Sequence, residues 1–206
     1  FVSVTIDPDS PLSVSPFVLY DYIDFTTNGK DQTVILQAFG QNANYFPNRF
    51  SHNQVSVVDL GGSVVTWDDP KPYVLFGRIL FINGTLRIPK GAHIYVHGGL
   101  GRNAQGFYDN GYLFFSEGAR IICEGTVADP IIFEGDRLEE NFKNVPGQWG
   151  GLVLRNGNIQ NSFQNVIIRN SILGIFADSS TNATLHNCQF YNIGASALIG
   201  RHSTIT

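Results

Sequence analysis

The sequence predicts an all-β chain, a right-handed parallel β-helix preceded by the C-terminal strands of an Ig-like β-sandwich. The first observation is a repeat: Asn165-Val-Ile-Ile-Arg-Asn170 returns 22 positions later as Asn187-Cys-Gln-Phe-Tyr-Asn192. A period in the twenties marks a solenoid, whose units bury a face only by stacking on their neighbours. The second is composition: 16 Phe, 8 Tyr and 22 Gly with only 15% charged residues favour strands and turns over amphipathic helices. The third is punctuation, since short apolar runs separated by Gly, Pro or Asn recur from Tyr73 onward.

In chain order, Phe1-Val-Ser-Val-Thr-Ile6 alternates until Asp7-Pro8-Asp9-Ser10-Pro11 breaks it. A second alternating run, Phe17 to Phe25, leads through Thr27-Asn28-Gly29-Lys30 into Thr33 to Phe39. Asn28-Gly29 is the strongest hairpin signal in the chain, because a type I′ turn needs positive φ at both central residues. Three strands cannot close a sandwich, so they read as the end of an Ig-like domain whose first half lies upstream of Phe1.

Residues 41–72 read as a connector with one strand-like run, Gln54 to Leu60. The two prolines of Trp67-Asp-Asp-Pro-Lys-Pro-Tyr73 read as a stiff junction. The predicted division is 1–62 for the partial sandwich and connector and 63–206 for the β-helix, truncated at its C-terminal end. Ser203-Thr-Ile-Thr206 starts another coil, and Met and a signal peptide are both missing. The chain therefore reads as an internal piece of a longer protein.

The repeat fixes the coil geometry. Val166 and Ile168 share register with Cys188 and Phe190 and point inward, Phe163 lies over Leu185, and Arg169 and Tyr191 point out. Asn165 over Asn187, and Asn170 over Asn192, form corner ladders, because Asn tolerates the left-handed backbone and its amide reaches neighbouring coils. Cys123 and Cys188, the only cysteines, sit in apolar strand patterns and read as small buried hydrophobes.

Several function classes are disfavoured. A net charge of −4 provides no basic field for nucleic acid. No apolar run reaches the ~18 residues that a membrane helix needs.

An ordered string of motifs resembles one family: Phe1-Val-Ser-Val-Thr-Ile-Asp-Pro8, Thr26-Thr-Asn-Gly29, Leu36-Gln-Ala-Phe-Gly-Gln-Asn-Ala43, Lys71-Pro-Tyr-Val-Leu-Phe-Gly77, Leu86 to His97, Glu134-Gly-Asp-Arg-Leu-Glu139 and Val145-Pro-Gly-Gln-Trp149. It resembles uncharacterised Bacteroidota lipoproteins with an Ig-like domain followed by a right-handed parallel β-helix. The resemblance covers nearly the whole chain. It implies an outer-membrane, cell-surface protein held by an N-terminal lipid anchor outside this chain, and it carries over no catalytic residues. Gly150-Gly151 after Trp149 departs from the bulkier polar residues of relatives.

Candidate sites are few. Enzymatic β-helices set carboxylates on outward positions, two across a scissile bond for hydrolysis, or a Ca²⁺-binding cluster with a base for elimination. From Gln148 to Thr206 the only carboxylate is Asp178, so those coils supply no pair. Arg169, Arg201 and His202 read as isolated groups on a solvated face. His93 and His97 would stand ~13 Å apart on a strand, at ~3.3 Å per residue, too far to share an ion.

Asp136, Arg137 and Glu139 lie on an excursion that is either a Ca²⁺ loop or held to the helix by Arg137, with Trp149 over its base; its spacing matches no calcium loop. Phe107 and Tyr108 on the Gly-rich loop 99–111 are candidate contacts for a sugar or a protein. No catalytic residue, metal site or cofactor is assigned.

The reading leans away from an enzyme. It favours a β-helix scaffold docking to another protein through loops 99–111 and 134–148, as part of an outer-membrane complex. The alternatives are a polysaccharide-active lyase or glycosidase, supported by fold alone, and a carbohydrate-binding module, which requires aromatics along a groove.

Overall fold

The structure, a computed structural model, describes residues 18–39, 43–46, 56–98, 101–103, 106–108, 111–116, 118–138, 140–155, 157, 159–178 and 180–206. The chain divides into two compact units, Phe1–Ala43 and Asn44–Thr206. In the first, β1 (Val18–Thr27) and β2 (Lys30–Phe39) form an antiparallel ribbon closed at Thr27 opposite Lys30. Asn28 and Gly29 have φ of 54° and 74°, the two left-handed residues of a type I′ turn. The expected strand Phe1–Ile6 lies outside the described residues.

The second unit is a parallel β-helix. Its first strands are β3 (Asn44–Phe46), β4 (Ser56–Thr66), β5 (Tyr73–Phe76), β6 (Arg78–Pro89) and β7 (His93–His97). A small antiparallel ribbon follows, β8 (Gly101–Asn103) with β9 (Gly106–Tyr108). The next coil is β10 (Tyr112–Ser116), β11 (Ala119–Glu124) and β12 (Ile131–Gly135). After it come β13 (Gly151–Arg155), β14 (Gln160–Gln164) and β15 (Val166–Arg169), and then β16 (Leu173–Asp178), β17 (Asn182–His186) and β18 (Gln189–Tyr191). Strands β19 (Ser196–Arg201) and β20 (Thr204–Ile205) complete it.

Each full coil contributes two strands to a ten-stranded sheet and one to a six-stranded sheet, in the order β18-β15-β12-β7-β5-β3. The long β6 pairs with both β10 and β11, and β4 pairs along β6.

The solenoid therefore begins at Asn44, not at residue 63. Strand β3 pairs in parallel with β5, and β4 follows β6 across a register shift between Asp59 and Ser63. Gly61 and Gly62, with φ of 63° and 70°, make that bulge and break the alternation on which a strand reading depends. The segment read as a stiff junction is a corner of the first coil. Trp67 stacks on Tyr73 at 4.5 Å and on Phe46 at 5.1 Å, and Trp67 and Tyr73 are buried with Leu60 in the core.

Inward residues stack rung upon rung. Ile88, Cys123, Phe163 and Leu185 share one register, and Ile94, Phe133, Ile168 and Phe190 another. The predicted inward and outward assignment of the last repeats holds, with Val166 and Ile168 buried in the core and Tyr191 37% exposed. Both cysteines are free, Cys123 buried and Cys188 half-buried.

The asparagine corners form as expected. Asn165, Asn170, Asn187 and Asn192 have φ between 48° and 60°. Asn187 Nδ2 donates to Asn165 Oδ1 at 2.5 Å, and Asn192 Nδ2 donates to Asn170 Oδ1 at 3.1 Å.

Candidate functional site

The excursion between β12 and β13 is an ordered platform. Its far end is fixed by Gln148, whose backbone N donates to Asn170 O at 2.8 Å and whose Nε2 donates to Phe142 O at 2.5 Å and Val145 O at 3.1 Å. Asn170 Nδ2 holds Lys143 O at 2.8 Å, so a corner asparagine of the next coil also ties the loop down. Gly98 and Gly135 make room for this: a Cβ at either would collide with Gln148. At the near end, Asp136 Oδ2 bonds His97 Nδ1 at 2.6 Å. That carboxylate raises the His97 pKa, against the lowering effect of burial.

The sequence-predicted residues separate in role. Asp136 and Arg137 lie on this platform. The Arg137 guanidinium stands 4.1 Å over the Phe142 ring, while Phe142 is 43% and Val145 42% exposed. Trp149 is not a surface contact. It is fully buried in the core, and its indole Nε1 donates to Arg169 O at 2.9 Å, so it anchors the corner from within. Glu139 lies outside the described residues. Phe107 and Tyr108 fall on β9, opposite Arg102 and Gly101, and their side chains lie outside the described residues.

The outer face of the six-stranded sheet carries an arrangement that sequence reasoning missed, although it placed Arg169 and Tyr191 there. Tyr45, Val74, Tyr95 and Glu134 follow one another in register, and Arg169 and Tyr191 continue that row. The Glu134 side chain is 1% exposed. Its Oε1 bonds His93 Nε2 at 2.5 Å, and its Oε2 accepts from Arg169 Nε at 2.6 Å. Burial pushes the Glu134 pKa up, but the bonds from His93 and Arg169 outweigh it and hold the carboxyl below its usual range. The bond to Glu134 raises the Arg169 pKa further. Arg169 Nη1 also donates to Tyr191 Oη at 2.7 Å, and burial raises the Tyr95 phenol well above normal.

The reading of Arg169 and Arg201 as isolated groups is therefore corrected, while Arg201 does lie on a solvated face, its side chain 62% exposed. Arg169 closes a buried ion pair across coils. Arg201 grips Asp178 with two bonds, 2.8 and 2.6 Å, and Arg155 lies 3.4 Å from the same carboxylate. These partners are 35 and 23 residues apart. The only signal that could have found them is the coil register, and the excursion breaks the 22-residue period before Glu134 can be aligned with Arg169.

Chemically, Glu134 is a fixed anion with both oxygens engaged, and Arg169 stays protonated, so neither moves a proton near neutral pH. Among the described residues no three His, Cys, Asp or Glu side chains are grouped to hold a metal ion. The protein family described as a pectate-lyase-like β-helix domain matches residues 61–166, just over half of the chain. No curated protein and no solved structure matches it.

Proposed function

This chain belongs to the pectate-lyase-like β-helix family, and from that premise we propose that it is a non-catalytic scaffold of a lipid-anchored cell-surface protein that docks onto another protein of an outer-membrane assembly. The observation that carries this reading is the platform at 136–148. It is pinned at both ends, yet it turns the exposed side chains of Phe142 and Val145 outward beside Arg137. A rigid loop presenting apolar anchors and an arginine has the anatomy of a binding hot spot, because little ordering entropy remains to be lost on docking. The surface location rests on the family resemblance in the sequence.

The test is affinity isolation of the full-length protein from gently solubilised outer membranes, alongside Phe142→Asp. The expected result is a stoichiometric membrane-protein partner that the variant loses. A lone protein in both preparations would overturn the docking reading.

A second reading, action on an acidic polysaccharide, is favoured by the family description and by Arg155 and Arg201 flanking Asp178 on an outer face. It predicts new unsaturated or reducing ends when acidic polysaccharides are incubated with the protein.

A further inference from the structure

On the other outer face, that of the ten-stranded sheet, Val57, Leu80, Phe114, Val153, Phe176 and Ile199 are partners in register across six successive rungs, β4, β6, β10, β13, β16 and β19. Val57 is 52% exposed; Leu80, Phe114, Phe176 and Ile199 are half-buried; Val153 is buried between them. At ~4.8 Å per rung this apolar row is roughly 24 Å long. Beside it runs a second row with opposite charges at its two ends. Asp59 is on the first rung, opposite Ile82 of β6, while Ser116, Arg155, Asp178 and Arg201 follow toward the last. The Arg201 side chain is 62% exposed.

Across these six rungs such a face can pair with itself in an antiparallel orientation. A two-fold axis parallel to the strands, lying between two facing copies, sets the first rung against the sixth, the second against the fifth and the third against the fourth. Asp59 then meets Arg201 at both ends, Val57 meets Ile199, and Phe114 meets the smaller Val153. On the opposite flank Tyr112 meets Gly151, so large side chains oppose small ones between the third and fourth rungs, while Leu80 meets Phe176 between the second and fifth. An axis along the solenoid would instead set Val57 against Val57 and leave Arg201 without a carboxylate across the interface, whereas Arg155 faces Ser116 in the antiparallel pair and is held by Asp178 of its own chain.

The geometry points to a second copy of this chain as the occupant of this face, in an antiparallel, two-fold pair that packs sheet on sheet. Its apolar groups recur at the rung spacing because the partner is itself a stack of strands, and the isologous contact closes after two copies. This surface is separate from the 136–148 platform and does not depend on it.

Sedimentation velocity on the whole chain over rising concentration is expected to show a species of twice the 22.7 kDa of one chain. Phe114→Glu should abolish it while the melting transition persists. Orientation is read by cysteine cross-linking in a Cys188→Ser background. Val57→Cys combined with Ile199→Cys should give disulfide-linked dimers, and Val57→Cys alone should not. A monomer at every concentration, a dimer indifferent to Phe114→Glu, or cross-linking by Val57→Cys alone would each overturn the proposal.

Discussion

Glu134 shows how far one residue's environment sets its role. Its side chain is shut from water, its two oxygens are divided between His93 and Arg169, and it stays ionised because those donors outweigh the cost of burial. Arg169→Ala leaves the carboxylate with one partner fewer, and should lower unfolding stability by roughly 2–4 kcal/mol in a denaturant titration; an exposed arginine would cost almost nothing.

The sign of the pH dependence follows from the depressed Glu134 pKa. Its contribution is fully present above the unfolded-state value, about 4.3, and is lost as pH falls through the lower folded value. Melting temperatures followed downward from pH 7 should therefore fall less in Glu134→Gln than in the parent. His97 has the opposite sign. Its pKa is raised by Asp136, so its contribution is fully present below about 6.5 and fades as pH rises through the folded value. Amides of the 136–148 platform should exchange faster at pH 8 than at pH 6, after correction for intrinsic rates. His97→Ala should remove that difference.

At the scale of the element, a coil depends on its corners as much as on its strands. Asn165 holds a left-handed backbone at φ 48° while its amide bonds Gly125 O at 2.8 Å and accepts from Asn187. Asn165→Ala loses these bonds and adds left-handed strain, for a loss of about 2–4 kcal/mol. Asn165→Gly should fall between it and the parent in the same titration, since glycine accepts the backbone but not the bonds.

Core rungs carry their own ranking. Phe163 is fully buried and Phe190 only half-buried. Phe163→Ala should therefore cost about 3–5 kcal/mol, and Phe190→Ala less.

These corners and rungs were legible in the sequence because two successive coils run uninterrupted, so hexapeptides ending in Asn stand over each other. The Glu134–Arg169 pair was not legible, because the excursion before Trp149 separates its partners by 35 positions. Strand β4 was read as connector because Gly61 and Gly62 interrupt its alternation. The burial of Trp149 is likewise set by a neighbouring coil, and no local pattern encodes it.

At the scale of the whole molecule, the boundary matters most. The chain divides into its two units between Ala43 and Asn44, and the first solenoid coil is built from β3, β4 and the stacked Phe46, Trp67 and Tyr73. A chain starting at Asn44 is expected to keep the cooperative melt of the β-helix. One starting at Ser63 loses β3, half of β4 and the buried Leu60, and should melt lower and more broadly by circular dichroism. Equal melts would show that the first coil adds nothing to the stack.

The excursion at 136–148 has a last consequence. Strand β12 enters it and β13 leaves it without disturbing the rungs, since β15 still pairs with β12 and β13 with β10. Its closure cost grows only logarithmically with length, ~0.6 kcal/mol per doubling. Insertions between its pinning bonds cost little closure entropy, whereas one residue added within a strand would turn every following side chain inside out. This corner is where a lineage can rewrite what the molecule recognises, and where an engineer can splice in a foreign epitope, while the rest of the spool is left wound as it was.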